Sequence, residues 1–173
     1  MRRVTTSVLL AALACYHRPP DTTLETLRGQ PALATALVSA SIKVALGTAA
    51  DVISRHGLAA RLMADSALVE SGGWDPASRD PSVADRYPPE ERLTWFVFKV
   101  TSDSLGRGSR VAVFALYSPF RTGGTGSGLN AQADPLSAVG VRAVPRDHPS
   151  AAMARAMLAE VEAGVVTAPD TTR

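Results

Sequence analysis

One run of residues limits the fold more than any other. Thr94-Trp95-Phe96-Val97-Phe98-Lys99-Val100 is β-branched and aromatic almost throughout, and Leu93 to Thr101 around it reads as a strand. Aromatics are only 5% of the chain, so this segment holds a large share of its big apolar side chains. Alternation puts Phe96, Phe98 and Val100 on one face, with Trp95, Lys99 and Thr101 on the other. Lys99 and Thr101 predict that Trp95 is only partly covered. A second strand is expected over 110–118, where Phe114 and Leu116 share a face. Gly106 and Gly108 between the two runs suit a hairpin loop. Residues 138–144 could add a third strand.

Helices are expected on either side of this hairpin. Pro31 to Gly47 is rich in alanine, and Thr35, Ser39 and Lys43 fall on one helical stripe. The same stretch also alternates, with Val38, Ala40, Ile42 and Val44 set against Ser39, Ser41 and Lys43, which is a strand pattern. Alanine's high helix propensity favours the helix. Thr48 with Asp51 looks like a helix start, and Gly57 looks like a stop. A further helix is expected over 58–71, with Leu58, Leu62, Ser66 and Val69 near one face and Arg61 paired with Asp65. Gly72-Gly73 ends it, and 74–92, rich in Pro, Asp and Arg, reads as a surface crossover with one short helical turn. Pro149 opens a last helix with Met153, Met157 and Val161 as its apolar stripe, and Gly164 closes it. The expected class is α+β: an Ala-rich helical N-terminal half packed on a small antiparallel sheet, followed by a C-terminal helix. The single domain is expected at 30–164, with a disordered tail at 165–173.

The chain has 173 residues, 46% hydrophobic and 20% charged, which suits one globular domain that needs no disulfides. Its single cysteine, Cys15, excludes an internal disulfide framework and a multi-cysteine zinc site. Neither a metal nor an organic cofactor is expected.

The position of that cysteine matters. Met1-Arg2-Arg3 is a short positive segment, and Val4 to Leu13 is an apolar and small-residue stretch of signal-peptide length. Ala12-Leu13-Ala14 supplies the small–x–small pattern read by signal peptidases, which would cut between Ala14 and Cys15. Leu9-Leu10-Ala11-Ala12-Leu13-Ala14-Cys15 resembles the lipobox of bacterial lipoproteins, although Ala12 stands where that family prefers leucine. The resemblance covers the leader alone. It implies a signal peptide at 1–14, acylation of Cys15 with chains such as palmitate, and a lipid-anchored tether at 15–29 containing Pro19-Pro20. The implied location is the membrane of the cell envelope, with a secreted or periplasmic soluble form as the alternative. Without Arg2 and Arg3, 16 of the 18 basic residues face 16 acidic ones. A neutral mature chain gives no electrostatic footing for nucleic acid. The expected partners are membrane lipid, through the anchor, and an unidentified envelope protein or glycan.

One fragment bears on catalysis. Ala67-Leu68-Val69-Glu70-Ser71-Gly72-Gly73-Trp74-Asp75-Pro76 resembles the segment of lytic transglycosylases in which a helix ends in Glu-Ser-Gly before an aromatic and Asn/Asp-Pro. The resemblance implies Glu70 as general acid for cleaving envelope glycan, held in an apolar cleft. Gly73 shifts Trp74 by one place, and the family's downstream Gly-Ala-x-Gly-Leu-Met-Gln type motif is absent. The simpler expectation is a helix end with a solvated Glu70 and a glycine stop. Gly123-Gly124-Thr125-Gly126-Ser127-Gly128 lacks the Lys-Ser/Thr of a phosphate loop and reads as a flexible connection. His17, His56 and His148 are isolated, with none of the i, i+4 pairing of zinc hydrolases. Two functions from different classes follow: a lipid-anchored binding or assembly domain, and an envelope glycan hydrolase using Glu70.

Overall fold

The structure is a computed structural model that describes residues 27–106, 108–117 and 141–167. Residues 1–26, which hold Cys15, the expected leader and most of the expected tether, lie outside the described residues, as do the glycine-rich loop and residues 168–173.

The described residues form a mixed α+β domain. Its antiparallel sheet contains β1 (Ala34–Val38), β2 (Ala60–Met63), β3 (Leu68–Ser71), β4 (Thr94–Ser102) and β5 (Ser109–Tyr117), in the order β1-β5-β4-β3-β2. A two-residue strand, β6 (Arg142–Ala143), pairs with β5 beyond the end of β1. The helices are α1 (Ile42–Arg55), α2 (Ser82–Arg86), α3 (Pro89–Arg92) and α4 (Pro149–Thr167).

The expected hairpin is present, with β4 and β5 paired from Thr94↔Tyr117 to Ser102↔Ser109. Of the expected third strand, residues 138–140 lie outside the described residues, and β6 is the part found among the described ones. The register places Phe96 opposite Ala115 and Phe98 opposite Val113, while Trp95 faces Leu116 and Val97 faces Phe114. The Phe96/Phe98 face and the Phe114/Leu116 face therefore point to opposite sides of the sheet. One side carries the main core, where Phe96, Phe98, Val100, Val111 and Val113 meet α1 and α4. The other carries a smaller core of Leu68, Val97, Phe114 and Leu116, covered in part by Leu27 and Val141. Trp95 is only 3% exposed, which corrects the expectation that it is partly covered. Lys99 and Thr101 lie further along β4, so they set the environment at their own end of the face and not at Trp95.

The N-terminal half departs from the helical reading in two places. Residues 34–38 are a strand, because alternation places Ala36 and Val38 in the core and leaves Thr35 and Leu37 exposed. Pairing of β1 with β5, from Ala34↔Val113 to Val38↔Ser109, outweighs alanine's local preference. The helix begins instead at Ser41, whose Oγ accepts from Val44 N at 3.4 Å. Thr48 is interior, and its hydroxyl donates to Val44 O. Ala45, Leu46, Ala49, Val52 and Ile53 form the buried stripe of α1. Gly57 ends it as expected, with φ +78° and its N–H donating to Ser54 O.

Residues 58–71 are not a helix. β2 and β3 form a hairpin around a short 3₁₀ turn closed by Ala67 at φ 52°. All four residues of β3 are buried, because the strand lies between β2 and β4 and both of its faces are covered.

The 74–92 segment contains a 3₁₀ turn at Pro76–Ser78 and the short helices α2 and α3, more helical turns than expected. Pro149 opens α4 as expected, and Met157 and Val161 are fully buried with Met153 beside them. The helix runs through Gly164 to Thr167, so the expected stop and the start of the tail at 165 are corrected. Gly164 lies where α4 meets α1: a Cβ there would be 3.0 Å from Thr48 Cγ2. The domain also takes in Leu27, within the stretch expected as a tether, and Gln30 next to it. Leu27 is buried, and the Gln30 side chain bonds Val141 O and Ala143 N.

Candidate functional site

Glu70 lies in the middle of the sheet on β3, opposite Arg61 of β2 and Val97 of β4. Its side chain is 3% exposed. Arg61 Nη2 stands 2.8 Å and Nε 3.0 Å from Glu70 Oε2. The solvated carboxylate at a helix end is therefore corrected to a buried carboxylate within the sheet. Sequence reading missed the pair because residues nine apart do not meet on a helix. They meet directly across a tight hairpin.

The rest of the fragment has a backbone role. Glu70 pairs with Val97 and Trp74 bridges to Thr94, so four steps on one chain match three on the other. One extra residue is thus accommodated at Ser71-Gly72-Gly73, as in a β-bulge. Ser71 Oγ takes over as acceptor for Phe96 N–H at 2.8 Å and donates to Gly72 O, while Gly72 N–H donates to Ala59 O. A Cβ on Gly73 would meet Leu93 Cδ1 at 3.0 Å and Trp95 Nε1 at 3.4 Å, so the glycine allows close passage.

A second polar group forms where this passage reaches α4. Thr94 and Trp74 exchange backbone hydrogen bonds, and Thr94 Oγ1 also donates to Trp74 O. Thr94 Oγ1 lies 2.8 Å from Ser150 Oγ, and both residues are fully buried. Ser150 N–H donates to His148 Nδ1 at 3.1 Å. The His148 ring meets the Tyr87 ring edge-on at 4.5 Å between centroids. His148 is 2% exposed, and its Nε2 has no hydrogen-bond partner among the described residues. Arg92 Nε is also buried without a hydrogen bond, and Asp75 Oδ2 stands 3.6 Å from it. Burial pushes the His148 pKa below 6.5, and Asp147 opposes that shift. The two hydroxyls have no exposed surface, so in this arrangement they position α4 and are not available as nucleophiles.

This second group was not anticipated. Its members lie between 74 and 150 in sequence and carry no motif spacing. The available signal was Pro149 at the first helical position, which makes His148 the capping residue.

The other histidine in the described region, His56, is partly buried. His56 Nε2 lies 2.7 Å from Glu160 Oε1, and Arg55 Nη2 lies 3.2 Å from Glu160 Oε2. The hydrogen bond from His56, then Arg55, holds the Glu160 carboxyl below its ordinary value. This cluster joins the C-terminal end of α1 to α4. Among the described residues, no three His, Cys, Asp or Glu side chains are grouped closely enough to hold a metal ion. Nor is any helix among them long and apolar enough to cross a membrane. His17 and Cys15 lie outside the described residues. No family model, curated protein or solved structure matches this chain.

Proposed function

We propose that this chain is an exported lipoprotein, anchored through Cys15, whose α+β domain has a binding or assembly role at the cell envelope. The observation that carries the reading is the leader: a positive start, an apolar stretch of signal-peptide length, and Ala14-Cys15 at its end. Lipid supplies the membrane attachment, since each buried methylene contributes about 0.8 kcal/mol and two or more chains give stable anchoring. The domain contributes a sheet covered on one side by α1 and α4, with an end of the tether packed on the other through Leu27. Pulldown of the intact lipidated protein with envelope components tests the reading. A specific envelope protein or glycan recovered with the wild type supports it, and recovery of lipid alone counts against a binding role.

The second reading, a glycan hydrolase using Glu70, draws on the burial of that carboxylate. A general acid must hand a proton to the leaving oxygen. Glu70 Oε2 instead accepts hydrogen bonds from Arg61, a role suited to the ionised carboxylate. The binding reading is therefore preferred. Release of soluble fragments from peptidoglycan by the wild type, abolished in Glu70→Gln, would reverse that preference.

A further inference from the structure

We propose that His148 is a proton-operated latch between the start of α4 and the 82–92 segment, closed while its imidazole is neutral and opened by protonation. The proposal begins with the cap. His148 immediately precedes Pro149, and its Nδ1 accepts the N–H of Ser150, in the second position of α4. An accepting Nδ1 carries no proton, so the neutral ring holds its hydrogen on Nε2. A second proton would have to enter at Nδ1, where the Ser150 N–H already points. Two donors would then face each other and the cap would be lost. The new positive charge would also lie at the N-terminus of a 19-residue helix, the positive end of its dipole. Burial of the ring adds the cost of desolvating that charge.

The surroundings provide little to offset this. Asp147, in the same loop, is the acid that favours the charged ring. At the C-terminal end of α2 come Arg86 and, just after it, the Tyr87 ring, packed edge-on, with the Arg86 guanidinium carbon 6.0 Å from that ring's centroid. From β4 and α4 come the uncharged hydroxyls of Thr94 and Ser150. On α3, Arg92 Nε stands 3.6 Å from Asp75 Oδ2. His148 thus links two parts of the fold through two contacts, its cap on α4 and its ring on Tyr87. A charged ring favours water over both contacts.

The sign follows from the direction of the shift. Burial lowers the folded-state pKa of His148 from 6.5, with Asp147 opposing. The closed state has its full stability above 6.5 and loses it as the pH falls from there toward the lowered value. Within that window the opening constant rises by about tenfold per pH unit, and below it the effect levels off. Opening would release the first turn of α4 and expose Tyr87, Thr94 and Ser150, which gives the domain an acid-dependent surface.

Hydrogen exchange on the full chain, corrected for the intrinsic effect of pH, tests this at about pH 7.5 and about pH 5.5. Protection of 150–155 and of 82–92 is expected to fall by about tenfold per pH unit inside the window, while the β4–β5 ladder keeps its protection. His148→Asn caps the helix without titrating, so it is expected to remove the pH response. Equal wild-type protection at both pH values would overturn the latch, as would a His148→Asn protein that loses protection as the wild type does. Should that variant fail to fold, proton resonances of the wild type decide. A His148 midpoint below 6.5, shared by the Tyr87 ring, is the expected result. A midpoint at or above 6.5, or a Tyr87 ring that does not follow it, would refute the proposal.

Discussion

Arg61 and Glu70 are direct cross-strand partners, yet the arginine side chain is 54% exposed and the glutamate side chain 3%. This asymmetry makes the two halves of the pair unequal. Without Glu70, Arg61 can turn to water. Without Arg61, Glu70 keeps a buried charge and loses a cation at 2.8 Å. Arg61→Ala is therefore expected to cost about 2 kcal/mol, less than a fully buried broken pair because the site is partly wet. Glu70→Gln, which keeps shape and an acceptor oxygen, is expected to cost about half that. Urea unfolding of both variants measures the difference, and a larger loss for Glu70→Gln would reverse the argument.

The two faces of β4 give a second expectation. Phe98 lies under α1 and α4, and Trp95 is buried on the opposite side. Truncating a buried large aromatic to alanine costs about 3–5 kcal/mol, much of the stability of a domain this size. Phe98→Ala and Trp95→Ala are expected to be similarly damaging in thermal unfolding. If Trp95→Ala melts with the parent, the second face contributes little to stability and the smaller core is misjudged.

Local signals were legible where they agreed with the tertiary pairing. The Trp95–Val100 run, the stop at Gly57 and the first helical position at Pro149 each depend on a few adjacent residues, and each is found as expected. Residues 31–47 carried both periods at once. Strand and helix divide the stretch, with Val38 on one side and Ile42 on the other. Ser41 marks the boundary as a cap, a signal obscured by the alanines around it. Residues 58–71 misled because Leu62 and Val69 fit a helical face, whereas in the sheet they are direct partners across the β2–β3 pair. The candidate site was less legible still. The fragment around Glu70 was visible as residues, but its partner came from the hairpin. The polar chain from Trp74 through Thr94 and Ser150 to His148 exists only once the strand and helix have docked.

Gly108 supplies a sharp test of the β1–β5 pairing. A Cβ at this position would run into the backbone carbonyl of Val38. The obstacle is main chain, so no rotamer change relieves it. Gly106, two residues earlier, has φ +67° but open space around it. Gly106→Ala is expected to cost only backbone strain of about 1 kcal/mol. Gly108→Ala is expected to cost clearly more, because β1 must shift away from β5. Denaturation of the two variants side by side checks this, and equal losses would mean that the strands separate easily at this end.

The anchoring proposal makes the last prediction. Lipoprotein processing attaches acyl chains to the cysteine sulfur, which a serine cannot replace. Cys15→Ser is therefore expected to abolish incorporation of labelled fatty acid and to leave the chain either uncleaved or released from the membrane fraction. The domain itself is expected to be unaffected, since Cys15 precedes Leu27, the first described residue, and supplies none of the two hydrophobic cores. Unchanged thermal unfolding of purified Cys15→Ser protein relative to the wild type, taken with lost labelling in whole cells, would separate anchoring from folding. Plain secretion predicts a different pattern: wild-type protein in the external fluid, unlabelled, with the same amount and mobility as Cys15→Ser. That pattern would remove the lipid from the proposed function and leave an exported soluble domain.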